Sequence, residues 1–414
     1  MTEIISHIYQ DNEGHWVIQS NEDHSAGVAK LASQFAGEFG MSEWGKVLGL
    51  LHDKGKETDA FQQYIKKESG YAPDIKICGK HHHAYVGGIL AQKYYGKSSY
   101  NLFVNQIVSH HTGLHDSDEI KEIINQEIPS EVNIYHTKEK LNRPEFNIQA
   151  NDFHHLARML FSCLVDADFL DTEAFMVRES YTLRQNKDAL NDLLPLLENK
   201  LKDLKAKADS SEINIIRNQI QQQCLKMADT PTGFYSLTVP TGGGKTLSSL
   251  VWAIKHALKN GQKRVIIAIP YTSIIVQTAS VLRSIFGEEN VLEHHSCVDP
   301  EQIKDEKLKE KMKLATENWD YPIIVTTNVQ LFVSMFSNKP SACRKLHNIV
   351  NSVIILDEVQ TLPTDYLQPI VDSLKTYNKL FNVSFLFTTA SQPVLSGLIE
   401  GCNPKAAFNG IDHI

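Results

Sequence analysis

The feature that most constrains this chain is VPTGGGKT at residues 239–246. It follows FYSLTV, a short β-rich run, and precedes LSSLVWAIKHAL, a helical stretch. Glycine reaches backbone conformations that other residues adopt only under strain, so successive N–H groups can turn toward one anion. The following helix adds its positive N-terminal end. A strand–loop–helix of this kind requires an α/β sheet. In it Thr241, Gly242, Gly243 and Gly244 would wrap a phosphate, Lys245 would reach the β- and γ-phosphates, and Thr246 would ligate Mg. A strict GxxxxGK[ST] pattern would need glycine at 239, where valine stands.

The rest of the C-terminal half follows the same grammar. RVIIAIP, PIIVTT, SVIILD and VSFLFTT are continuous apolar runs that alternate with helical stretches. Runs of this length suit strands buried on both faces of a parallel, doubly wound sheet. SVIILDEVQ (352–360) ends such a run on Asp357-Glu358. There Asp357 would hold the Mg of a bound nucleotide and Glu358 would orient or deprotonate the attacking water. The cofactor expected in this half is ATP with Mg.

The N-terminal half reads differently. Val28, Leu31, Phe35 and Phe39, and again Leu156, Met159, Leu160 and Leu164, recur at helical spacing. Residues 1–185 are therefore expected to form an all-helical domain. Leucines at 190, 193, 194, 197, 201 and 204 predict a helical linker over 186–230, followed by the α/β lobe over 231–414. A length of 414 residues suits two or three domains of about 150 residues each. The net charge of −8 argues against a protein that coats polyanions, but allows a local basic groove. No run approaches a membrane span of about 18 apolar residues, and MTEIISHIYQDNEGHW lacks the pattern of a secretion signal. The six cysteines are scattered with no CxxC pair, which suits reduced thiols in the cytoplasm.

Chemistry in the first half rests on histidine. The series is His24, then His52-Asp53 followed by Lys54-Gly55-Lys56, then His81-His82-His83, His110-His111, and Asp166 and Asp168 in LVDADFLD. Imidazole with carboxylate is a ligand set for Mn, Fe, Co, Ni and similar ions. Adjacent His and Asp on a helix diverge by about 100° and can serve one metal pair from one element. Two metals would clamp a phosphodiester between the attacking and leaving oxygens. A lysine one turn beyond the pair could hold a phosphate as a point charge. Spacing alone leaves open which histidine of the triplet, and which of Asp166 and Asp168, takes part.

PTGGGKT resembles the nucleotide loop of superfamily 2 helicases. IPYTSIIVQTA, VTTNVQLF and FTTASQP stand where those proteins carry motifs that contact and couple to a nucleic-acid strand. Ser391 replaces the usual threonine in the last of these, and Gln360 of DEVQ would make the coupling contact. The histidine series resembles the HD superfamily of metal-dependent phosphohydrolases. HDKGK, with HHAYVGG and SHHTGLHD after it, is similar to the HD nuclease domain of CRISPR-associated helicase–nucleases. Together the halves resemble the HD-nuclease/superfamily 2 helicase of type I CRISPR systems, over residues from about 20 to 400.

That resemblance implies an all-α HD-type domain followed by a RecA-like P-loop lobe. It implies His24, His52, Asp53, His83, His110, His111 and Asp168 as metal ligands, and Lys56 as the lysine after the HD pair. Asp53, Lys56 and Glu358 would then be catalytic. Two divalent ions (Mn, Ni, Co, Fe or Mg) are implied in the HD site. The implied activity is nicking and degradation of single-stranded DNA, coupled to ATP-driven translocation. The implied partners are that strand and an RNA-guided type I surveillance complex, in the cytoplasm. Only 23 residues follow Ser391, whereas a second RecA-like lobe needs roughly 150. A second lobe is therefore not expected in this chain, which would meet one on another chain or bind another protein. Two alternatives are an HD-type phosphohydrolase of small nucleotides and a regulatory or partner-binding form without helicase activity.

Overall fold

A computed structural model describes residues 3–79, 81–96, 100–135, 138–142, 147–185, 187–240, 242–296, 303, 305–389 and 411–414. The chain divides into one unit of Met1–Leu183 with Ser337–His347, and another of Arg184–Phe336 with Asn348–Ile414.

The first unit opens on an antiparallel hairpin of β1 (Ile5–Gln10) and β2 (Trp16–Ser20), in which His7 pairs with Gln19. All-helical describes the rest of the unit but not this hairpin. Helices α1 (Asn21–Gly37), α2 (Ser42–Leu51), α3 (Asp59–Glu68), α4 (Ala84–Tyr95), α5 (Asn105–Ser109), α6 (Ser117–Ile124), α7 (Phe153–Met176) and α8 (Arg178–Arg184) follow. Ser20 caps α1 by accepting a hydrogen bond from the Asp23 N–H at 3.0 Å, which starts the helix three residues before His24.

Small residues set the crossing of α1 and α2. Gly45 and Gly49 of α2 lie against Ala29, Ala32 and Ala36 of α1, all three buried. A Cβ at Gly49 would stand 2.4 Å from the Ala29 Cα, and one at Gly45 would stand 2.2 Å from the Ala32 carbonyl oxygen. The two backbones therefore meet without side chains between them. Helix α4 docks in the same manner on the end of α2, where a Cβ at Gly87 would stand 1.9 Å from the Leu51 carbonyl oxygen. These approaches carry His24, His52 and His83 toward one point.

The second unit begins with α9 (Leu190–Lys207) and α10 (Glu212–Met227). The stretch read from sequence as a linker is part of this unit's core. Leu190, Leu193, Leu197 and Cys224 are buried with Trp252 and with Val265 and Ile267 of the sheet. Then come β3 (Phe234–Thr238), α11 (Lys245–Lys259), β4 (Arg264–Ile269), α12 (Thr272–Phe286), β5 (Val291–His294), α13 (Glu306–Asn318), β6 (Ile323–Thr327) and α14 (Asn328–Phe336). After α15 (Pro340–Cys343), which packs with the first unit, the chain returns through β7 (Ser352–Asp357), α16 (Leu367–Phe381), β8 (Ser384–Thr389) and β9 (Ile411–His413). The seven strands are parallel in the order β5-β6-β4-β7-β8-β3-β9. Val265, Ile267 and Ile269 pack under α9 to α12, while Ile266 and Ala268 are equally buried on the opposite face, where α14 contacts the sheet. Continuous apolar runs are what a sheet covered on both faces demands.

The excursion Ser337–His347 is held by a buried charge cluster. Asp166 of α7 pairs with the Arg344 guanidinium at 2.7 Å and with His347 Nε2 at 2.9 Å. The His347 N–H donates to Ser162 Oγ at 2.9 Å, and the Phe35 ring stacks on His347.

Candidate metal centre and nucleotide site

The HD pair does not sit within one helix. His52 is the C-terminal cap of α2, and Asp53 lies just beyond it with φ −106° and ψ 19°. Leaving the helix swings the Asp53 carboxylate into the centre of the unit, where it is 1% exposed. His24 comes from the first turn of α1, His83 from the N-cap of α4, His110 from the C-cap of α5 and Asp168 from the middle of α7.

Asp53 is the hub. Its Oδ2 lies 3.3 Å from both His24 Nε2 and His52 Nε2, while its Oδ1 lies 3.3 Å from His83 Nε2 and 3.4 Å from His110 Nε2. Asp168 Oδ1 closes the first group at 3.2 Å from His24 Nε2 and 3.7 Å from His52 Nε2. His111 closes the second, with its Nε2 2.9 Å from that of His83. Two candidate ligand groups result: His24, His52, Asp53 and Asp168, and Asp53, His83, His110 and His111.

The other ring nitrogens are committed. His52 Nδ1 donates to the Gly49 carbonyl at 2.8 Å, His110 Nδ1 to the Ile107 carbonyl at 2.6 Å, and His24 Nδ1 to Asp171 at 2.8 Å. A histidine whose Nδ1–H is engaged in this way presents Nε2 as its ligand atom. Those Nε2 atoms, with Asp53 Oδ1, are buried and have no hydrogen-bond partner. Orphaned buried acceptors converging from several elements fit a bound cation, and hard carboxylate with imidazole suits a divalent transition ion or Mg.

The electrostatics agree. Burial alone would lower His24 and His52, but the carboxylates of Asp168 and Asp171 lift His24 to about 10, and the charge of Asp53 lifts His52 to about 9. Burial would likewise raise Asp53, yet His52 and Lys56 hold it well below the usual carboxylate range. The pocket favours positive charge. At its outer side burial dominates, and with His110 and His83 beside it His111 falls to about 3.

Three residues of these motifs stand outside both ligand groups. His82 is exposed and stacks beside His81, outside both groups. Asp166 is turned to Arg344 and His347. Lys56 is 5% exposed, with Nζ 2.6 Å from Asp53 Oδ2 and 3.0 Å from Ser6 Oγ, so it orients a carboxylate rather than facing an incoming phosphate.

In the second unit, Gly242 and Gly244 adopt φ of 84° and 81°, which only glycine reaches without strain, and α11 starts at Lys245. Gly243 packs so tightly that a Cβ would stand 2.5 Å from Val239 Cγ1. Thr241 lies outside the described residues, as does FTTASQP beyond Thr389, including Ser391. Thr246 occupies the first turn of α11. Arg217 of α10 holds the loop through two bonds to the Gly242 carbonyl, at 2.9 and 2.7 Å. Lys245 Nζ bridges Asp357 Oδ1 at 2.8 Å and Glu358 Oε1 at 2.6 Å. Burial would lower Lys245, but these two carboxylates outweigh it and raise it. Asp357 also accepts from Thr388 Oγ1 at 2.5 Å, and Glu358 from Gln360 Nε2 at 2.6 Å. The loop and these carboxylates sit at the C-terminal ends of β3 and β7, where open α/β sheets bind ligands.

The HD domain family matches residues 21–145, and the DEAD/DEAH box helicase family matches residues 218–396. The CRISPR-associated nuclease/helicase Cas3 of Haloferax volcanii is 28% identical over 193 residues, 42% of this chain and 20% of that protein. The enzyme of the same name from Methanothermobacter thermautotrophicus is 24% identical over 175 residues, 40% of this chain and 20% of that protein. This chain is a relative of the Cas3 nuclease/helicases. In fold it is similar to the crystal structure of T. fusca Cas3, with a TM-score of 0.59 at 16% identity over 94% of this chain and 49% of that one. A chain in the structure titled "CRISPR RNA-guided surveillance complex, pre-nicking" aligns with a TM-score of 0.53 at 16% identity, covering 94% and 48%. The aligned stretches span about a fifth of the length of the two Cas3 relatives and about half of the Cas3 chain of known structure. Among the described residues no helix is long and apolar enough to cross a membrane.

Proposed function

We propose that this protein is a divalent-cation-dependent DNA nuclease joined to an ATP-binding helicase lobe, acting in CRISPR defence on the strand displaced by an RNA-guided complex. The observation that carries this reading is the bridging of two ligand groups by one buried carboxylate, Asp53. In this reading His24, His52, Asp53 and Asp168 hold one cation, and Asp53, His83, His110 and His111 hold the other. A cation pair so held supplies Lewis acidity and neutralises charge on a phosphodiester. Lys56 keeps the Asp53 carboxylate turned inward, through its 2.6 Å contact. His111, exposed at the rim, is the ligand nearest to an arriving strand.

In the second unit Lys245 exchanges its two carboxylates for phosphate oxygens when ATP binds. That exchange releases Asp357 for Mg and Glu358 for the attacking water. The substrate reading is single-stranded DNA, the partner a type I surveillance complex and the location the cytoplasm. The test is incubation of the purified chain with circular single-stranded DNA, in EDTA and then in Mn, Co, Ni or Mg. Cleavage that needs a metal and is lost in Asp53→Ala is expected. Intact circles under every metal, alongside phosphate release from free nucleotides, would make it a small-nucleotide phosphohydrolase instead.

A further inference from the structure

The hairpin that precedes the HD match has no role in the reading above, nor does the last aspartate of LVDADFLD. They meet behind His24. Asp171 lies one turn after Asp168 on α7, so both carboxylates share a face of that helix. Asp168 faces His24 Nε2 at 3.2 Å, while Asp171 Oδ2 faces His24 Nδ1 at 2.8 Å. One helix thus touches both nitrogens of the same ring.

Asp171 is itself held. Gln19 Nε2 donates to Asp171 Oδ2 at 2.8 Å, and Gln19 Oε1 is 2.8 Å from His7 Nδ1. His7 and Gln19 are cross-strand partners of the hairpin, and the His7 ring meets the His24 ring edge-on at 4.6 Å. Room for the carboxylate comes from α1. Gly27, one turn after His24, is where a Cβ would stand 1.9 Å from Asp171 Oδ1 and 2.8 Å from its Cγ. Any side chain there would expel Asp171 from the back of His24.

From this geometry we propose that Asp171 is a positioning residue for metal binding, which fixes the tautomer and ring plane of His24 and is itself aimed by Gln19 and admitted by Gly27. The His24 Nδ1–H is held by a carboxylate, whereas those of His52 and His110 are held by backbone carbonyls. A carboxylate behind a ligand imidazole raises its basicity as well as orienting it, and losing such a partner typically weakens metal affinity by 10–100-fold. Of these three histidines, His24 is therefore the one whose orientation depends on a replaceable side chain.

The inference rests on the reading that His24 holds a cation, so the experiment includes His24→Ala. The full chain is titrated with Co(II), followed by calorimetry and by the visible absorption of the bound ion. Unfolding temperatures are measured beside each titration in EDTA. Asp171→Ala should weaken one equivalent of Co(II) by roughly 10–100-fold and change its absorption band, while the other equivalent keeps its affinity. Asp171→Asn, which retains an acceptor oxygen, should recover much of that loss. Gly27→Ala, which leaves Asp171 in the sequence but displaces it, should reproduce the Asp171→Ala defect. If Asp171→Ala does not fold, the Asn and Gly27 variants decide the matter by the same band. Parent-like affinity and spectrum in every folded variant, together with a clear loss in His24→Ala, would overturn the role of Asp171. Parent-like titration of His24→Ala would instead overturn the ligand reading itself.

Discussion

Gly55 lies so close to His83 that a Cβ on it would stand 2.0 Å from the His83 carbonyl oxygen and 2.6 Å from its Cα. The glycine two residues after the HD pair is therefore what lets the start of α4 pass over the end of α2. Its φ is not in the left-handed region, so the requirement is space and not backbone conformation. Gly55→Ala should cost about 1–3 kcal/mol, as overpacking does in a close-packed interior. It should also push His83 away from Asp53 and weaken one cation equivalent. Chemical denaturation and a Co(II) titration read the two effects. Unchanged stability and unchanged titration would mean that α4 moves freely, against the packing at Gly87.

Asp53 and Asp168 are predicted to differ in kind. Asp53 gives one oxygen to each ligand group, whereas Asp168 serves only the His24 and His52 side. Asp53→Ala should abolish binding of both equivalents and all metal-dependent cleavage. Asp168→Ala should remove one equivalent and spare the other. A calorimetric titration with Mn(II) counts them. Two retained equivalents in Asp53→Ala would sink the bridging assignment.

Asp166 tests what the excursion Ser337–His347 contributes. Burial alone would raise its carboxyl, but the Arg344 guanidinium and then His347 hold it well below the usual carboxylate range. A depressed folded value stabilises the fold at pH above the unfolded value near 3.8, and that contribution fades as pH falls through the folded one. Asp166→Asn leaves Arg344 buried without its carboxylate, a loss of about 3–5 kcal/mol at neutral pH. Unfolding midpoints of parent and variant should lie far apart at pH 7 and converge progressively as the pH is lowered from about 5 toward 1, with most of the convergence below the unfolded value. A gap that stays constant over that range would show that the charge pair is not the source of the difference.

The parts of this chain that were legible in sequence are those with local grammar. Continuous apolar runs announced the parallel strands, and PTGGGKT announced the loop between β3 and α11, because strand burial and glycine conformation are properties of neighbouring residues. The histidine series drew attention to the right elements, but periodicity reports which face a residue lies on, not what it meets there. The choice between Asp166 and Asp168 turns on Arg344, which is 178 residues away in the chain. Asp171 meets His24 across 147 residues. The one available hint was paired spacing: Gly27 three residues after His24, and Asp171 three after Asp168. Lys56 shows the same limit: a lysine after an HD pair suggests a cation for phosphate, and the sequence does not show that its stem and ammonium are buried against Ser6, Asp53 and Phe61. The helices over 190–227 read as a linker because leucine spacing reports an apolar face and not what that face covers. Their leucines are spaced to cover the sheet, which no charge count reveals.

Lys245 gives the last prediction. Its ammonium lies between Asp357 and Glu358, two carboxylates from adjacent residues that would repel each other without it. Lys245→Ala removes the phosphate contact from the loop and leaves those carboxylates facing each other, partly exposed, so the stability cost should be small. Nucleotide affinity should fall steeply, because the remaining loop offers N–H groups but no positive charge. Asp53, His83 and Asp168 belong to the first unit, whereas Lys245 belongs to the second. Cleavage of circular single-stranded DNA without ATP should therefore continue at the parental rate. The measurement pairs binding of a fluorescent ATP analogue with that cleavage assay on the same preparation. Loss of both activities in a variant with the parental unfolding temperature would show that cleavage depends on the nucleotide loop.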